Sequence, residues 1–145
     1  MDADEPGIGK QIARAARSYG LDILNALFLT PLPGTRLWDR MQSEDRIAVH
    51  DFPNDWKYYT LGFPTAQYKH FSWADIVDEM NSCDRSFYSL WQIARRVAGN
   101  LLLRRQPIFA LITNLSYRNN ARLSRRSYDH MDGFASCLGL EGSEK

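Results

Sequence analysis

The stretch LNALFLTPLPGTRLWDRMQSEDRI, residues 24–47, decides the fold that we predict for this chain. It begins as an apolar run, breaks at Pro31 and Pro33, turns at Gly34 and restarts at Thr35 as an amphipathic segment. An apolar run followed by Pro and Gly is typical of a buried strand, and a Thr before an apolar-periodic segment is typical of a helix N-cap. The sequence therefore predicts a strand over residues 22–30, a tight loop, and a helix over residues 36–44.

The predicted strand needs partners that this chain does not provide. Its side chains are apolar on both faces, as in parallel strands that are covered on two sides. Its backbone groups also need partners, because each buried and unpaired N–H or C=O costs roughly 1–3 kcal/mol. No second stretch of this quality occurs in the 145 residues. We therefore expect the chain to be the tail of a larger protein whose other strands complete the sheet.

Composition restricts the class of protein but not its partners. The contents of 44% hydrophobic and 12% aromatic residues are typical of a folded globular chain, and the net charge is only +1. No apolar run approaches the roughly 18–20 residues of a membrane span, and the acidic N-terminus does not resemble a signal peptide. Cys83 and Cys137 are too few and too far apart for a disulfide framework or a metal site. A cytoplasmic location is the expectation.

The rest of the chain is predicted to be helical. Pro6 suits the opening turn of a first helix over residues 2–20, and Gly20 suits its end. Residues 51–55 form a turn cluster, and residues 56–63 fit a short extended segment. Ser72 and Asp75 form a capping box that opens one long amphipathic helix, and a break in it is predicted at residues 99–100. Past residue 131 we expect the chain to fray.

A second long helix opens at Pro107, and its apolar stripe is expected to bury against that of the first across a turn near residues 104–106. The first stripe consists of Trp73, Ile76, Val77, Met80, Cys83, Phe87, Leu90, Trp91, Ala94, Val97 and Leu101, and the second of Ile108, Leu111, Ile112 and Leu115. Because Cys83 lies on the first stripe, we expect a buried structural thiol.

Residues 85–128 contain no Asp or Glu. They contain nine arginines: Arg85, Arg95, Arg96, Arg104, Arg105, Arg118, Arg122, Arg125 and Arg126. Helices of one charge sign can bind nucleic acid, an anionic headgroup or a phosphorylated substrate. The other interpretation is that these guanidinium groups pair with acids elsewhere in the protein. The three histidines are scattered, so no metal site is predicted, and no residue set forms a catalytic site.

Several motifs together resemble one enzyme family. The runs FLTPLPGT (residues 28–35) with Leu37-Trp38, Met41 and Arg46-Ile47 resemble the end of the catalytic barrel in radical SAM enzymes that also carry a cobalamin-binding domain. Residues 55–60 (DWKYYT), 68–70 (YKH), 83–89 (CDRSFYS) and 114–120 (NLSYRNN) look like the helical domain that follows that barrel. The resemblance covers roughly residues 1–130.

The resemblance implies a domain organisation and an activity. Residues 1–47 would be the last helix–strand–helix unit of the radical SAM barrel, residues 48–131 a helical C-terminal domain, and residues 132–145 a flexible tail. The fold class is thus mainly α with a small α/β part. Such enzymes bind a [4Fe–4S] cluster through a CxxxCxxC motif and cleave S-adenosylmethionine reductively. Members that use cobalamin commonly methylate lipid, pigment or antibiotic precursors.

The resemblance also implies roles for particular residues. Those bordering S-adenosylmethionine would be Leu29, Thr30, Pro31, Leu32, Pro33 and Gly34. Those facing a small-molecule substrate would be Tyr58, Tyr59, Tyr68, Arg85 and Arg118. The chain lacks CxxxCxxC and a cobalamin domain, so it holds no complete cofactor site and no catalytic residue is assigned. It would act with the rest of its parent as barrel end and substrate-side cap.

A rival hypothesis is a free-standing helical adaptor. In that case the arginine-rich helices would bind RNA or an anionic surface. Nucleic acid is the weaker choice, because the aromatic residues lie mostly on the apolar stripes and not between the arginines.

Overall fold

The computed structural model describes residues 5–49, 51–103 and 105–137, the last nine by their backbone alone. Within these ranges the chain is mainly helical, as predicted, and no sheet is formed. Strand-type pairing is limited there to one isolated antiparallel bridge between Ile47 and Ala66. The helices are α1 (Ile8–Ser18), α2 (Arg36–Ser43), a 3-10 helix (Asn54–Tyr58), α3 (Trp73–Phe87), α4 (Leu90–Leu102) and α5 (Pro107–Cys137).

The chain divides into two compact units that interleave along the sequence. The first is built on Leu27–Asp78 and also includes the residues before Gly7 and from Tyr128 onward. The second consists of Gly7–Ala26 and Glu79–Ser127. The domain boundaries predicted at residues 47 and 131 stay a prediction. Of the predicted tail, residues 132–137 continue α5, and residues 138–145 lie outside the described part of the chain.

The predicted strand over residues 22–30 is not formed in the described residues. That segment has no regular secondary structure. Its one backbone–backbone hydrogen bond among the described residues joins the Phe28 N–H to the Leu61 carbonyl at 3.0 Å. A strand requires a row of such bonds to a neighbour, and the described residues offer no neighbour of that kind. The predicted strand is therefore absent from the described residues, and the expectation that strands outside this chain would complete it stays a prediction.

The first unit contains the predicted loop and α2. Thr35 is the N-cap of α2, and its side chain accepts a hydrogen bond from the Trp38 N–H, as predicted. The capping box at the start of α3 is also confirmed, because Ser72 and Asp75 exchange hydrogen bonds between side chain and backbone. The N–H of Asp75 lies 3.2 Å from the Ser72 Oγ.

The segment predicted to be extended, residues 56–63, is instead a 3-10 helix followed by turns. Side chains of the preceding turn cluster cause this difference. The Asp51 N–H donates to the Asp55 carboxylate at 2.8 Å, and Asn54 donates to the Asp51 carboxylate at 3.0 Å. These local bonds give the backbone a turn conformation that competes with an extended one.

The second unit begins with α1 (Ile8–Ser18). The predicted opening turn at Pro6 is wrong, because Gly7, with φ +94, is the N-cap and Pro6 precedes it, whereas Gly20 terminates the helix as predicted. Gly20 has φ +71, its N–H donates to the Arg17 carbonyl, and the Leu21 N–H donates to the Ala16 carbonyl. This is the Schellman pattern of a helix C-terminus. The core cluster beneath α1 comprises Ala13, Ala16, Cys83, Phe87 and Tyr88. The prediction of a buried Cys83 is confirmed, since only 1% of it is exposed.

The predicted single long helix is wrong. The helix breaks at residues 88–89, and residues 99–100 lie inside α4. Two arginines bind the carbonyls that α3 leaves free at its end: Arg96 donates to Phe87 at 2.9 Å and Arg118 donates to Tyr88 at 2.6 Å. Ser89 then starts α4 by accepting a hydrogen bond from the Gln92 N–H. Long-range side chains thus decide where this helix ends.

The expected burial of the α4 and α5 stripes against each other is also wrong. On α4, Leu90, Trp91 and Leu101 are exposed and only Ile93 is buried; on α5, the aliphatic stripe is exposed. Among the α5 side chains up to residue 128, which the structure describes, the buried ones are Ala110 and Asn114 in the second unit and Tyr128 in the first. Asn114 faces inward because it accepts hydrogen bonds from Arg96. That polar contact turns the neighbouring aliphatic side chains outward.

Candidate functional site

The segment over residues 21–32 contains the first four predicted cofactor-bordering residues, Leu29 to Leu32, and leads into the turn that carries the other two. Its exposure alternates from residue to residue over positions 21–28, which is the period of an extended chain. The apolar side chains of Leu21, Ile23, Leu27 and Leu32 are 38–48% exposed. An extended segment with large apolar side chains in solvent is a candidate contact surface, because covering these side chains lowers the free energy.

Two tyrosine hydroxyls form hydrogen bonds with backbone groups of the same segment. The Tyr88 hydroxyl accepts from the Leu24 N–H at 2.9 Å and donates to the Leu24 carbonyl at 2.6 Å. In the other unit, the Tyr68 hydroxyl donates to the Leu29 carbonyl at 3.2 Å. These bonds satisfy backbone groups in the way that a neighbouring strand would.

The loop that follows belongs to the first unit and is partly buried and partly exposed. Thr30 and Pro31 are buried, whereas Leu32, Pro33 and Gly34 are exposed. Gly34 has φ +81, a left-handed conformation that glycine adopts without strain. The predicted cofactor-bordering set therefore divides into a buried part and an exposed turn, in which the Leu32 carbonyl already accepts hydrogen bonds from the Thr35 N–H and hydroxyl.

The three predicted substrate-side tyrosines lie in the first unit with this loop. Tyr59 packs its ring 5.9 Å from that of Trp38 on α2 and donates its hydroxyl to the Val49 carbonyl. Tyr58 contacts Phe63 edge to face. Burial raises the pKa of Tyr59 to about 12 and raises that of Tyr68 further. Both phenols are thus neutral hydrogen-bond donors, and Tyr68 holds Leu29 in place.

The two predicted arginines lie in the second unit and differ in environment. Arg118 donates to the Tyr88 carbonyl and so forms part of the end of α3. Arg85 is exposed near the end of α3. The structure brings Tyr68 to the predicted loop, but it places Arg118 in a structural contact within the second unit.

A polar network that the sequence did not predict lies at the centre of the second unit. The Asn114 side-chain oxygen accepts hydrogen bonds from Arg96 Nε at 3.0 Å and Nη2 at 2.7 Å. The guanidinium carbon lies 4.2 Å from the centroid of the Phe87 ring. Asn114 is fully buried, and it interrupts the apolar pattern of α5. A polar residue inside an apolar helical stretch is the sequence feature that could have indicated this buried network.

Two ionisable groups on α3 have shifted acidities. Burial raises the pKa of Asp84 to about 6, although the positive charge of Arg125 opposes the shift. Burial also raises the pKa of the Cys83 thiol to about 11, which keeps it protonated at neutral pH. Cys83 is therefore a packing residue and not a thiolate nucleophile.

A groove in the second unit has a volume of about 570 Å³. Polar side chains from three segments line it, and Phe109 supplies an apolar wall. The lining residues are Asp22, Ile23, Asn100, Arg105, Gln106, Phe109, Ala110, Thr113 and Asn114. Asn100 donates a hydrogen bond to the Asp22 carboxylate at 3.0 Å, so these two polar groups of the groove bind each other.

The described residues do not fit an iron–sulfur cluster. No group of three His, Cys, Asp or Glu side chains lies together among them. Cys83 is buried as a protonated thiol, whereas a cluster binds several thiolates. Any cluster used by a parent enzyme would be held by other residues.

None of the helices in the described ranges combines the length and the apolar character that crossing a membrane requires. Comparisons with protein-family profiles, with curated protein sequences and with solved structures gave no match to this chain.

Proposed function

We propose that this chain is the C-terminal part of a cobalamin-dependent radical SAM enzyme, as the resemblance of its motifs implies. In this proposal residues 1–47 end the barrel, and the helices that follow cap the substrate opening. The parent would act on a small organic, lipid or pigment precursor, by methyl transfer or a related radical reaction. The chain alone would be inactive.

The observation that supports the proposal is the segment over residues 21–32. Over positions 21–28 it has the two-residue exposure period of a strand, and its apolar groups lie in solvent, yet it has no neighbouring strand among the described residues. The last strand of a barrel separated from its neighbours would have these properties. The loop that follows would then lie where barrel enzymes place their ligands, with the exposed residues 32–34 toward the cofactor.

The reading frame upstream of Met1 provides the first test. We expect an in-frame CxxxCxxC motif there, and we expect the longer protein to bind iron and sulfide and to cleave S-adenosylmethionine under reducing conditions. A longer reading frame without that motif, or a longer protein that binds neither iron nor sulfide, would contradict the proposal.

Leu27 provides a second test that does not require activity. Leu27→Asp should leave the isolated chain as stable as the wild type, because about half of the side chain is exposed there. In the longer protein the same change should lower the free energy of unfolding by about 2 kcal/mol or more, because a charge would be buried against the sheet. Tyr19→Asp, at the C-cap of α1 where the residue is 80% exposed, is the matched control and should have the same small effect in both proteins. Equal effects of Leu27→Asp in both proteins would contradict the proposal.

The substrate-side assignment is tested at Tyr59 in the longer protein. Tyr59→Phe removes the hydroxyl that binds the Val49 carbonyl and keeps the ring against Trp38. We expect lower turnover or weaker substrate binding. An unchanged enzyme removes Tyr59 from the substrate side.

A further inference from the structure

We propose that the turn between α4 and α5 is a docking site for an anionic lipid bilayer. This inference does not depend on the radical SAM proposal, because it rests on a different surface and is tested on the chain by itself. The α4–α5 tip is defined by the exposed apolar side chains on either side of that turn and by one arginine between them. Its residues are Leu101, Leu102, Leu103, Arg105, Ile108 and Phe109.

The first observation is the degree of exposure at the tip. Leu102 is 82% exposed and Ile108 is 73% exposed, and the other apolar tip residues are 62–67% exposed. The stripe continues along α5 to Ile112, which is 62% exposed. Scattered apolar residues on a surface are ordinary, but a concentration of this size marks an interaction site.

The second observation is that the backbone at the tip is well bonded. The Leu103 N–H donates to the Gly99 carbonyl at 3.0 Å, and the Arg105 N–H donates to the Asn100 carbonyl at 2.8 Å. At the start of α5, the Ala110 N–H donates to the Gln106 carbonyl at 3.0 Å. The apolar side chains are therefore held outward by a bonded turn and are not part of a loose end.

The third observation identifies the partner by its charge. Residues 85–128 contain nine arginines and no acid. Arg96, Arg118 and Arg125 bind carbonyl or amide oxygens inside the second unit, whereas Arg95 and Arg105 are exposed. Apolar side chains beside an exposed arginine form the kind of surface that binds the interface of an anionic membrane, where the apolar chains enter the headgroup region and the arginine attracts the lipid charge. Asp22, an acid that lines the groove with Arg105, accepts a hydrogen bond from Asn100.

Nucleic acid would require a different surface. Single-stranded RNA binds aromatic side chains that stack on its bases, together with basic residues along its backbone. Five of the six tip residues are not aromatic, and Phe109 is the exception. Contact with a phosphate backbone removes little aliphatic surface from water, whereas insertion into hydrocarbon removes much of it and lowers the free energy.

The experiment is co-sedimentation of the purified 145-residue chain with vesicles. One set of vesicles contains phosphatidylcholine alone and the other contains phosphatidylcholine with phosphatidylglycerol. We expect binding to the anionic vesicles, a steep decrease with added salt, and little binding to phosphatidylcholine alone. Equal binding to both sets, or no binding to the anionic set, would overturn the proposal.

Variants separate the tip from the rest of the surface. Leu102→Ser combined with Ile108→Ser should weaken binding at least about tenfold, because each leucine-sized group contributes strongly when buried. Arg105→Gln should weaken it about fivefold, as expected for one basic residue near an anionic surface. Leu123→Ser is the matched control, because Leu123 is 51% exposed and lies 15 residues beyond Ile108 on α5. It should bind as the wild type does.

The changed residues are all exposed, and far-ultraviolet circular dichroism should show the wild-type helix content in each variant. Binding that the tip variant does not reduce would overturn the proposal. Binding to a single-stranded RNA with the same affinity as to anionic vesicles, in both the wild type and the tip variant, would assign the arginines to nucleic acid and would also overturn it.

Discussion

The guanidinium group of Arg96 contacts Phe87 in two ways: it donates to the Phe87 carbonyl oxygen at 2.9 Å and lies 4.2 Å from the centroid of the Phe87 ring. One side chain thus binds the end of α3 and also packs on its last aromatic residue. A second partner, Asn114 on α5, accepts two hydrogen bonds from the same group. The Arg96 guanidinium group thus connects α4 with α3 and α5 in the second unit.

We expect Arg96→Ala to lower the free energy of unfolding by about 2–4 kcal/mol, because it leaves a helix-end carbonyl and the buried Asn114 oxygen without their donors. Arg96→Lys should recover only part of this loss, since an ammonium group cannot reproduce the planar fork. Denaturant unfolding measures both effects. Arg95→Ala, at the exposed neighbouring position, is the control and should change the value by less than about 0.5 kcal/mol. Equal losses at positions 95 and 96 would contradict this account.

Gly9 and Gly99 should respond in opposite directions to alanine. A Cβ at Gly9 would overlap the Glu79 backbone carbonyl, and the Gly9 N–H donates to the Glu79 carboxylate at 2.8 Å. Gly9→Ala should therefore destabilise the chain by about 2 kcal/mol or more, through the shift that α1 must make. Gly99 lies inside α4 with nothing near its Cβ position, so Gly99→Ala should stabilise the chain by up to about 1 kcal/mol. Thermal unfolding of the two variants compares them directly, and a shift of the same sign in both would refute the packing described here.

Asp84 should make stability depend on pH between about 4 and 6. Burial raises its pKa in the folded chain to about 6, from an ordinary value of 3.8. The folded state therefore binds the proton more tightly than the unfolded state, and the contribution of this group to stability falls as pH rises through that window. The loss amounts to about 2–3 kcal/mol at most. Asp84→Asn should remove that part of the pH dependence. Its stability relative to the wild type should therefore be higher at pH 7 than at pH 4. An identical slope in both proteins would show that Asp84 is not the group responsible.

Thr35 tests the junction of the loop with α2. Its Oγ1 accepts from the Trp38 N–H at 3.2 Å and donates to the Leu32 carbonyl at 2.7 Å. Thr35→Ala should cost about 1 kcal/mol, whereas Thr35→Ser keeps the hydroxyl and should cost less. Denaturant midpoints for the two variants give the comparison. If the serine variant loses as much as the alanine variant, the hydroxyl is not the stabilising group.

The parts of the fold that follow from local chemistry were predictable from the sequence. The cap at Thr35, the capping box at Ser72 and Asp75, the end of α1 at Gly20 and the start of α5 at Pro107 all lie where the residue types indicate. Each depends on hydrogen bonds or backbone angles within a few residues.

The parts that depend on distant residues were not predictable. Nothing near residues 88–89 indicates that Arg96 and Arg118 would take up the last carbonyls of α3. The aliphatic stripe of α5 predicts a buried face, but the hydrogen bonds of Asn114 select the opposite one. The candidate site has the same limitation: the sequence located the exposed loop, whereas the contact of Tyr68 with Leu29 joins residues 39 positions apart.

The central claim is that residues 22–30 form a strand only in a longer protein, and amide hydrogen exchange of this segment tests it most directly. In the 145-residue chain we expect fast exchange throughout the segment, apart from Leu24 and Phe28, whose N–H groups are bonded. In the product of the upstream-extended reading frame we expect these amides to slow at least about a hundredfold, as in the central strand of a sheet. Slow exchange already present in the isolated chain, or no added protection in the longer protein, would contradict the account.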